Sequence, residues 1–446
     1  MALVVVAGCG SSAGQGFDAA HQPGSDASSP GADSPVGPTI DARPNPDGAN
    51  NGCTGGSDAN QPFGNHAHAY TSGSILPDHL SQGELDDQTR AFYDYWKSHY
   101  LKSGCGSGRY YVASGQSDRQ TVSEAHGYGM LITVFMAGHD PDAKQIFDGL
   151  YAYYKDHPSD ITPTLMAWSQ DSSCANNDGA NSATDGDLDI AYSLLLADKQ
   201  WGSSGTIDYA KAAQAIIGGV HSGDVDASQT YTLLGDWATP QDAKLYDATR
   251  SSDFMPSHLI SFAAATGDQS WKQVADDTYG IVDTVQTGYA ASTGLIPDFI
   301  VSPRANPKPA SGTLLEGAND GKYSWNACRD PWRIALGYLV DGDARAKTIA
   351  QRLNGWIKSE TGGDPNNVKA GYALNGGALV DYSDRSYIAP FGVAAMVDAS
   401  NQQWLNSVWD NVSGARDGSY YDDSITMLSM IAMSGNWWVP EAAPCP

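Results

Sequence analysis

The stretch ATDGDLDIAYSLLLADKQW (residues 183–201) sets Asp185, Asp187 and Asp189 at alternate positions immediately ahead of an apolar run with helical spacing. The spacing predicts a buried helix over about 187–201. One acidic residue in a first turn is accounted for by capping and by the positive end of the helix dipole. Three at alternate positions point in different directions and exceed that need. Their spacing also matches the first oxygens of a calcium loop. Ile190, however, stands where that loop requires glycine, and Leu196 where it requires a bidentate glutamate. The segment therefore predicts no metal site, and nothing else in the chain asks for a cofactor.

Working outward, the same period recurs along the chain. In LSQGELDDQTRAFYDYWKSHYL, Ser81 and Glu84 form a capping box, and Leu85, Phe92, Trp96 and Tyr100 fall on one helical face. Further helical patterns cover about 123–138, 142–156, 207–219, 255–266, 269–287, 330–340, 343–359, 388–398, 402–412 and 423–434, separated by loops rich in Gly, Asp, Asn and Pro. Roughly twelve helices with few alternating strand runs point to an all-α fold. Six helical hairpins closed into an (α/α)6 barrel fit the alternation of short and long loops, with the long loops building a cleft at one end. A stacked solenoid would show a repeat period, and none is visible. Trp96, Trp201 and Trp271 lie on helical stripes and read as core.

The ends read differently. Residues 10–60 are dominated by Gly, Ser, Pro, Asp, Ala and Asn and hold too little apolar surface to fold, so they read as a linker, leaving 61–446 as one domain. Residues 1–9 are an apolar run ending in Val6-Ala7-Gly8-Cys9, which resembles the close of a bacterial lipoprotein signal with Cys9 as the lipidated residue. The expectation is a monomer that is exported, and either anchored by lipid or released. Beyond Cys9 there are Cys53, Cys105, Cys174, Cys328 and Cys445, an odd number. Cys328 in SWNACRDPW reads as a buried thiol and the others as two bridges of open connectivity.

The net charge is −26, and residues 1–60, with six Asp and one Arg, leave −21 to the remainder. Nucleic acid is excluded as a partner, since phosphate contacts need clustered Lys and Arg. The 12 Trp and 23 Tyr supply more flat surface than packing requires and point to carbohydrate.

A second segment, TVSEAHGYGMLITVFMAGHD, puts Glu124 ahead of an apolar helix, beside Tyr128 and small residues that let a ligand approach closely. Desolvation there raises a carboxyl pKa toward general-acid work. Ser123-Glu124-Ala125-His126-Gly127-Tyr128-Gly129-Met130 and Ala183-Thr184-Asp185-Gly186-Asp187, with Ile190 and Ala191, together resemble the two motifs of glycoside hydrolase family 8, with Ala125 in place of the usual Gly. The resemblance runs from about residue 70 to GNWWVP. It implies an (α/α)6 barrel and hydrolysis of β-1,4 linkages with inversion, with Glu124 as general acid and Asp185 holding the distorted sugar.

The family's usual base is an Asp in a Y-D-A-x-R segment, but this chain reads Tyr323-Ser324-Trp325-Asn326-Ala327-Cys328-Arg329, and an amide takes no proton from water. The resemblance to a subgroup of chitosanases and β-glucanases with Asn at that position assigns the base to Glu316, ten residues upstream, with Asp320 as runner-up. Asn326 and Arg329 become positioning residues, and Tyr128, Trp168, Trp237 and Tyr421 contact sugar. The expected substrate is chitosan, whose ammonium groups would pair with acidic loops such as GDVD, GDW and SYYDDS. The alternative is an endo-β-1,4- or β-1,3-1,4-glucanase, with xylanase behind it. A non-catalytic surface carbohydrate-binding protein that has lost its base is the reading from another class.

Overall fold

The computed structural model describes residues 59–416 and 418–441. Cys9, Cys53, Cys445 and the readings of residues 1–9 and of the linker up to residue 58 lie outside the described residues. In chain order the helices are α1 (Gln82–Tyr100), α2 (Ser123–Phe135), α3 (Ala143–Asp156), α4 (Thr184–Trp201), α5 (Tyr209–Gly223), the one-turn α6 (Ala243–Tyr246), α7 (Pro256–Thr266), α8 (Ser270–Tyr289), α9 (Asp330–Leu339), α10 (Ala344–Glu360), α11 (Arg385–Ala395), α12 (Gln402–Ser413) and α13 (Tyr420–Met433). Seven short strands form three small antiparallel sheets: β1 (Leu101–Ser103) with β2 (Tyr110–Val112), β3 (Thr121–Val122) with β4 (Ser169–Gln170), and β5 (Ala248–Arg250) with β6 (Phe299–Val301) and β7 (Lys308–Pro309).

Hydropathy sorts the long helices into two rings. α2, α4 and α13 are buried on nearly every face, as a helix surrounded by protein must be. α1, α3, α8 and α12 bury one stripe only. Contacts close the inner ring α2–α4–α7–α9–α11–α13 and back to α2, and each inner helix is backed by an outer partner: α3, α5, α8, α10, α12 and α1 respectively. This is the (α/α)6 barrel. Trp96 and Trp271 are buried in it, and Trp201 packs partly buried against Phe147 and Tyr209. The capping box at Ser81 and Glu84 forms as the sequence requires.

Ordered chain begins before α1. Residues 59–80 run across one end of the ring, where backbone amides of Asn60, Phe63, Thr71 and Ile75 donate to carbonyls of Gln200, Ala137, Leu339 and Met396, near the C-terminal ends of α4, α2, α9 and α11. Trp437 plugs the same end against Phe135 and Trp332. Orphan carbonyls at the helix ends are thereby satisfied and that end is floored. The inner helices' N-termini point the other way, into the loops, and concentrate the positive ends of their dipoles there.

Cys105 and Cys174 are bridged with Cα atoms 5.6 Å apart, and Cys328 is free and buried. The bridge closes a separation of 69 residues. A Cys105→Ala/Cys174→Ala variant is expected to lose about 2–4 kcal/mol of stability, read as a lower guanidinium midpoint than the parent under non-reducing conditions.

Candidate active site

Glu124 is the second residue of α2, placed there by β3, whose pairing with β4 also brings Trp168 alongside. α4 starts at Thr184, three residues earlier than the sequence pattern suggests, so Asp185 joins Asp187 and Asp189 within its first turns. The motif glycines explain why the two helix starts converge. A Cβ on Gly127 would sit 2.7 Å from Asp189 Cβ, and one on Gly186 would sit 2.6 Å from the carbonyl carbon of Ser123. Only glycine permits this approach, which brings Glu124 and Asp185 to one guanidinium. Arg329 Nη1 donates to Glu124 Oε2 at 2.5 Å and to Asp185 Oδ2 at 3.0 Å.

The two carboxyls differ in what else surrounds them. Burial raises the pKa of Glu124, and Asp185 adds to the rise, against the pull of Arg329 and a 2.9 Å hydrogen bond from Tyr420. Asp185 is buried too, but Arg250 joins Arg329 on it at 3.2 Å and Gly186 donates its amide at 2.9 Å, so its carboxyl is held below the ordinary value. Environment thus moves the proton affinities of the two carboxyls in opposite directions.

The other two aspartates of the triplet serve the fold. Asp189 takes both terminal nitrogens of Arg333, at 2.8 and 2.5 Å, with His258 at 3.1 Å; burial pushes that imidazole down to about 4. Asp187 points to the opposite side of α4 and accepts the amide of Met166 at 2.8 Å. Burial and the neighbouring Asp224 push its pKa well up.

Across the cleft, Glu316 projects inward from the loop that precedes α9. Asn326 Nδ2 donates to its Oε2 at 2.8 Å, while Asn326 Oδ1 receives Arg329 Nη2 at 2.9 Å. Its side chain is 13% exposed, and Arg250 Nη1 lies 3.9 Å from Oε1. Burial raises its pKa, against Arg250 and Asn326. Asp320, the runner-up for the base, is not available to a substrate. Its carboxylate accepts the backbone amides of Leu314, Leu315, Glu316 and Gly317 at 2.7–3.2 Å and shapes the turn that presents Glu316. Asp298 does the same for the next segment through the amides of Ser324 and Ala327.

Trp168, Trp237 and Tyr421 line the cleft, as the sequence suggests, together with Trp325, Tyr420, Arg119 and Arg250, which it did not single out. Arg119 lies over the Trp168 ring at 5.0 Å and pairs with Asp178, whose carbonyl accepts the indole N–H at 3.0 Å. Tyr128 departs from expectation. It is fully buried behind Arg329, to which its hydroxyl is bonded at 3.1 Å, and does not reach the cleft. The acidic loops also depart. Asp224 and Asp236 bond Ser182 and Ser159, Asp226 closes its own turn, Asp422 bonds Ser386, and Asp423 takes the hydroxyl of Tyr100. Their charge faces inward because each satisfies donors left over by helix starts and turns.

Arg250 arrives on β5, 65 residues beyond Asp185. A lone cation in the segment DATRSSD was its only signal.

The model of Glycosyl hydrolases family 8 matches residues 82–435. A β-glucanase of Niallia circulans is 55% identical over 379 residues, spanning 85% of this chain and 91% of the relative. An endoglucanase of Bacillus sp. (strain KSM-330) is 42% identical over 379 residues, 83% of this chain and 80% of the relative. The apo structure of a β-1,3-1,4-glucanase from Paenibacillus sp. X4 superposes with a TM-score of 0.83 at 53% identity, covering 85% of this chain and 99% of that one.

Proposed function

Since the chain belongs to glycosyl hydrolases family 8, we propose that it is an endo-β-glucanase acting on neutral glucan, with Glu124 as general acid and Glu316 as general base. An inverting endo-glycosidase acting on β-1,4 bonds needs a carboxylic acid on one side of the linkage and a carboxylate on the other, with room for water between them. Glu124, desolvated and proton-bearing, protonates the leaving oxygen. Glu316 takes a proton from the water that attacks the opposite face of the sugar. Asp185, kept ionised by Arg250 and Arg329, favours the oxocarbenium-like state and holds the sugar in its distorted form. The observation that carries this reading is that Glu124 and Glu316 line one cleft and are tied to one Arg329–Asn326 pair from its two sides.

The substrate follows from charge. The cleft's ionisable lining is Arg119, Arg250 and Arg329 against Glu124, Asp185 and Glu316. With the proton that a general acid must carry on Glu124, three cations face two anions and Arg119 is itself paired with Asp178, so the lining holds no negative surplus for a polycation. The aspartates of the loops that favoured chitosan are buried and spent on internal bonds, out of a polycation's reach, and that expectation gives way to the glucan named for the relatives above. Neutral sugar rings stack on Trp168, Trp237 and Trp325 without charge.

Reducing-sugar release from barley β-glucan and from chitosan tests this. Glucan is expected to be hydrolysed with at least about ten-fold higher kcat/KM, and its first product is expected to be the α-anomer by proton NMR. Equal or faster cleavage of chitosan would sink the substrate assignment, and a β-anomer would sink the roles given to the carboxyls.

A further inference from the structure

Arg250 ends β5 and touches three acidic groups from three different elements. Nη2 donates to Asp185 Oδ1 on α4 at 3.2 Å and to Asp253 Oδ1 in the following turn at 3.1 Å, while Nη1 stands 3.9 Å from Glu316 Oε1. We infer that Arg250 is a positioning residue for the base, holding Glu316 as an oriented anion without occupying the oxygen that receives the proton. This rests on Glu316 being the base.

The distances carry the argument. Glu316 Oε2 is committed to the Asn326 amide at 2.8 Å, a true hydrogen bond. At 3.9 Å the guanidinium makes no hydrogen bond to Oε1 but still supplies a cation in a desolvated cleft, where the attraction is only weakly screened. One oxygen is therefore fixed and the other is stabilised by charge with its lone pair left open to water. A direct bond from Arg250 to Oε1 would have competed with water for that oxygen's lone pairs.

The surroundings sharpen the role. Glu316 is also faced by Arg329, which favours its anion, and by Asp320 and Asp298, which oppose it. Arg250 is faced by Asp185, Asp253 and Glu316, and by Arg329 with like charge. Asp253 is buried and its pKa is pushed up to about 7, so through the acid range it draws little of the guanidinium's charge away from Asp185 and Glu316. Burial already raises the pKa of Glu316, and without Arg250 it rises further, because the cation is the largest group opposing that effect.

The test is the pH dependence of kcat and KM on β-glucan for Arg250→Lys, Arg250→Met and Arg250→Met/Asp253→Asn, with folding checked by circular dichroism. The double variant leaves no buried carboxylate stripped of its partner at position 253 and decides the matter if the single Met variant fails to fold. In the Met variants the acid limb of kcat is expected to move up by about one pH unit or more. kcat at the optimum falls at least about ten-fold, with KM within about three-fold. Lysine, which keeps the charge, holds the limb near the parent's. An unmoved acid limb in the double variant, or a rise in KM at constant kcat, overturns the inference. Glu316→Gln separates the two levels: if it stays active, the base assignment itself fails, whereas an inactive Glu316→Gln beside an unmoved limb in the Arg250 variants removes only the role given to Arg250.

Discussion

Glu124→Gln is expected to lower kcat on β-glucan by about 10²–10⁴-fold with KM little changed. The amide keeps the size and the hydrogen bond from Tyr420 but has no proton to give the leaving oxygen. The loss should depend on the leaving group. The dinitrophenolate of a 2,4-dinitrophenyl cellobioside departs without protonation, so on that substrate the deficit shrinks to about ten-fold or less. An equal loss on both substrates would remove Glu124 from the acid role. The pH dependence has the same origin. Burial, then the charge of Asp185, lifts the pKa of Glu124 above that of a free glutamate despite Arg329. The competent form is the protonated one, so activity persists to higher pH than an exposed glutamate would allow and is lost as pH rises through the raised pKa. In the Gln variant that alkaline limb disappears.

Glu316→Gln is expected to cost a similar 10²–10⁴-fold in kcat, now equally on activated and natural substrates, since water must be deprotonated whichever group leaves. Azide needs no deprotonation and approaches the same face. Added azide should restore turnover of the activated substrate and yield the α-glycosyl azide, by direct displacement from the face opposite the leaving group. Undiminished hydrolysis by Glu316→Gln would place the base elsewhere.

The sequence carried the barrel because helical period and buried-all-round composition are local properties: α2, α4 and α13 announce their inner position by being apolar on every face. It carried Glu124 and Asp185 because each sits in a stretch whose glycines exist to let two helix starts meet. It blurred the start of α4, since Thr184 and Asp185 owe their helical place to tertiary partners such as the carbonyl of Leu233 and Arg250 rather than to a side-chain cap. Arg250 and Tyr420 were not legible, because the contacts that define them span 65 and 296 residues. The direction of a charge was equally hidden. Asp224, Asp226, Asp236, Asp422 and Asp423 read as an acidic cleft, yet a carboxylate beside a loop looks the same on paper whether it faces water or a buried amide. Tyr128 failed for a related reason: as the sixth residue of α2, more than a full turn beyond the helix start, it falls behind the guanidinium that Glu124 meets from the front.

The turn shaped by Asp320 gives the two ends of the reaction different freedom to change. Glu124, the proposed proton donor, is welded to a ring in which every helix is shimmed against two ring neighbours and an outer partner, so moving it means rebuilding the whole drum. Glu316 rides on a self-bracing bend whose form is set by one side chain gripping its own backbone. A lineage can lengthen, shorten or replace that bend, and so retune how water is activated, while the drum beneath is left as it was.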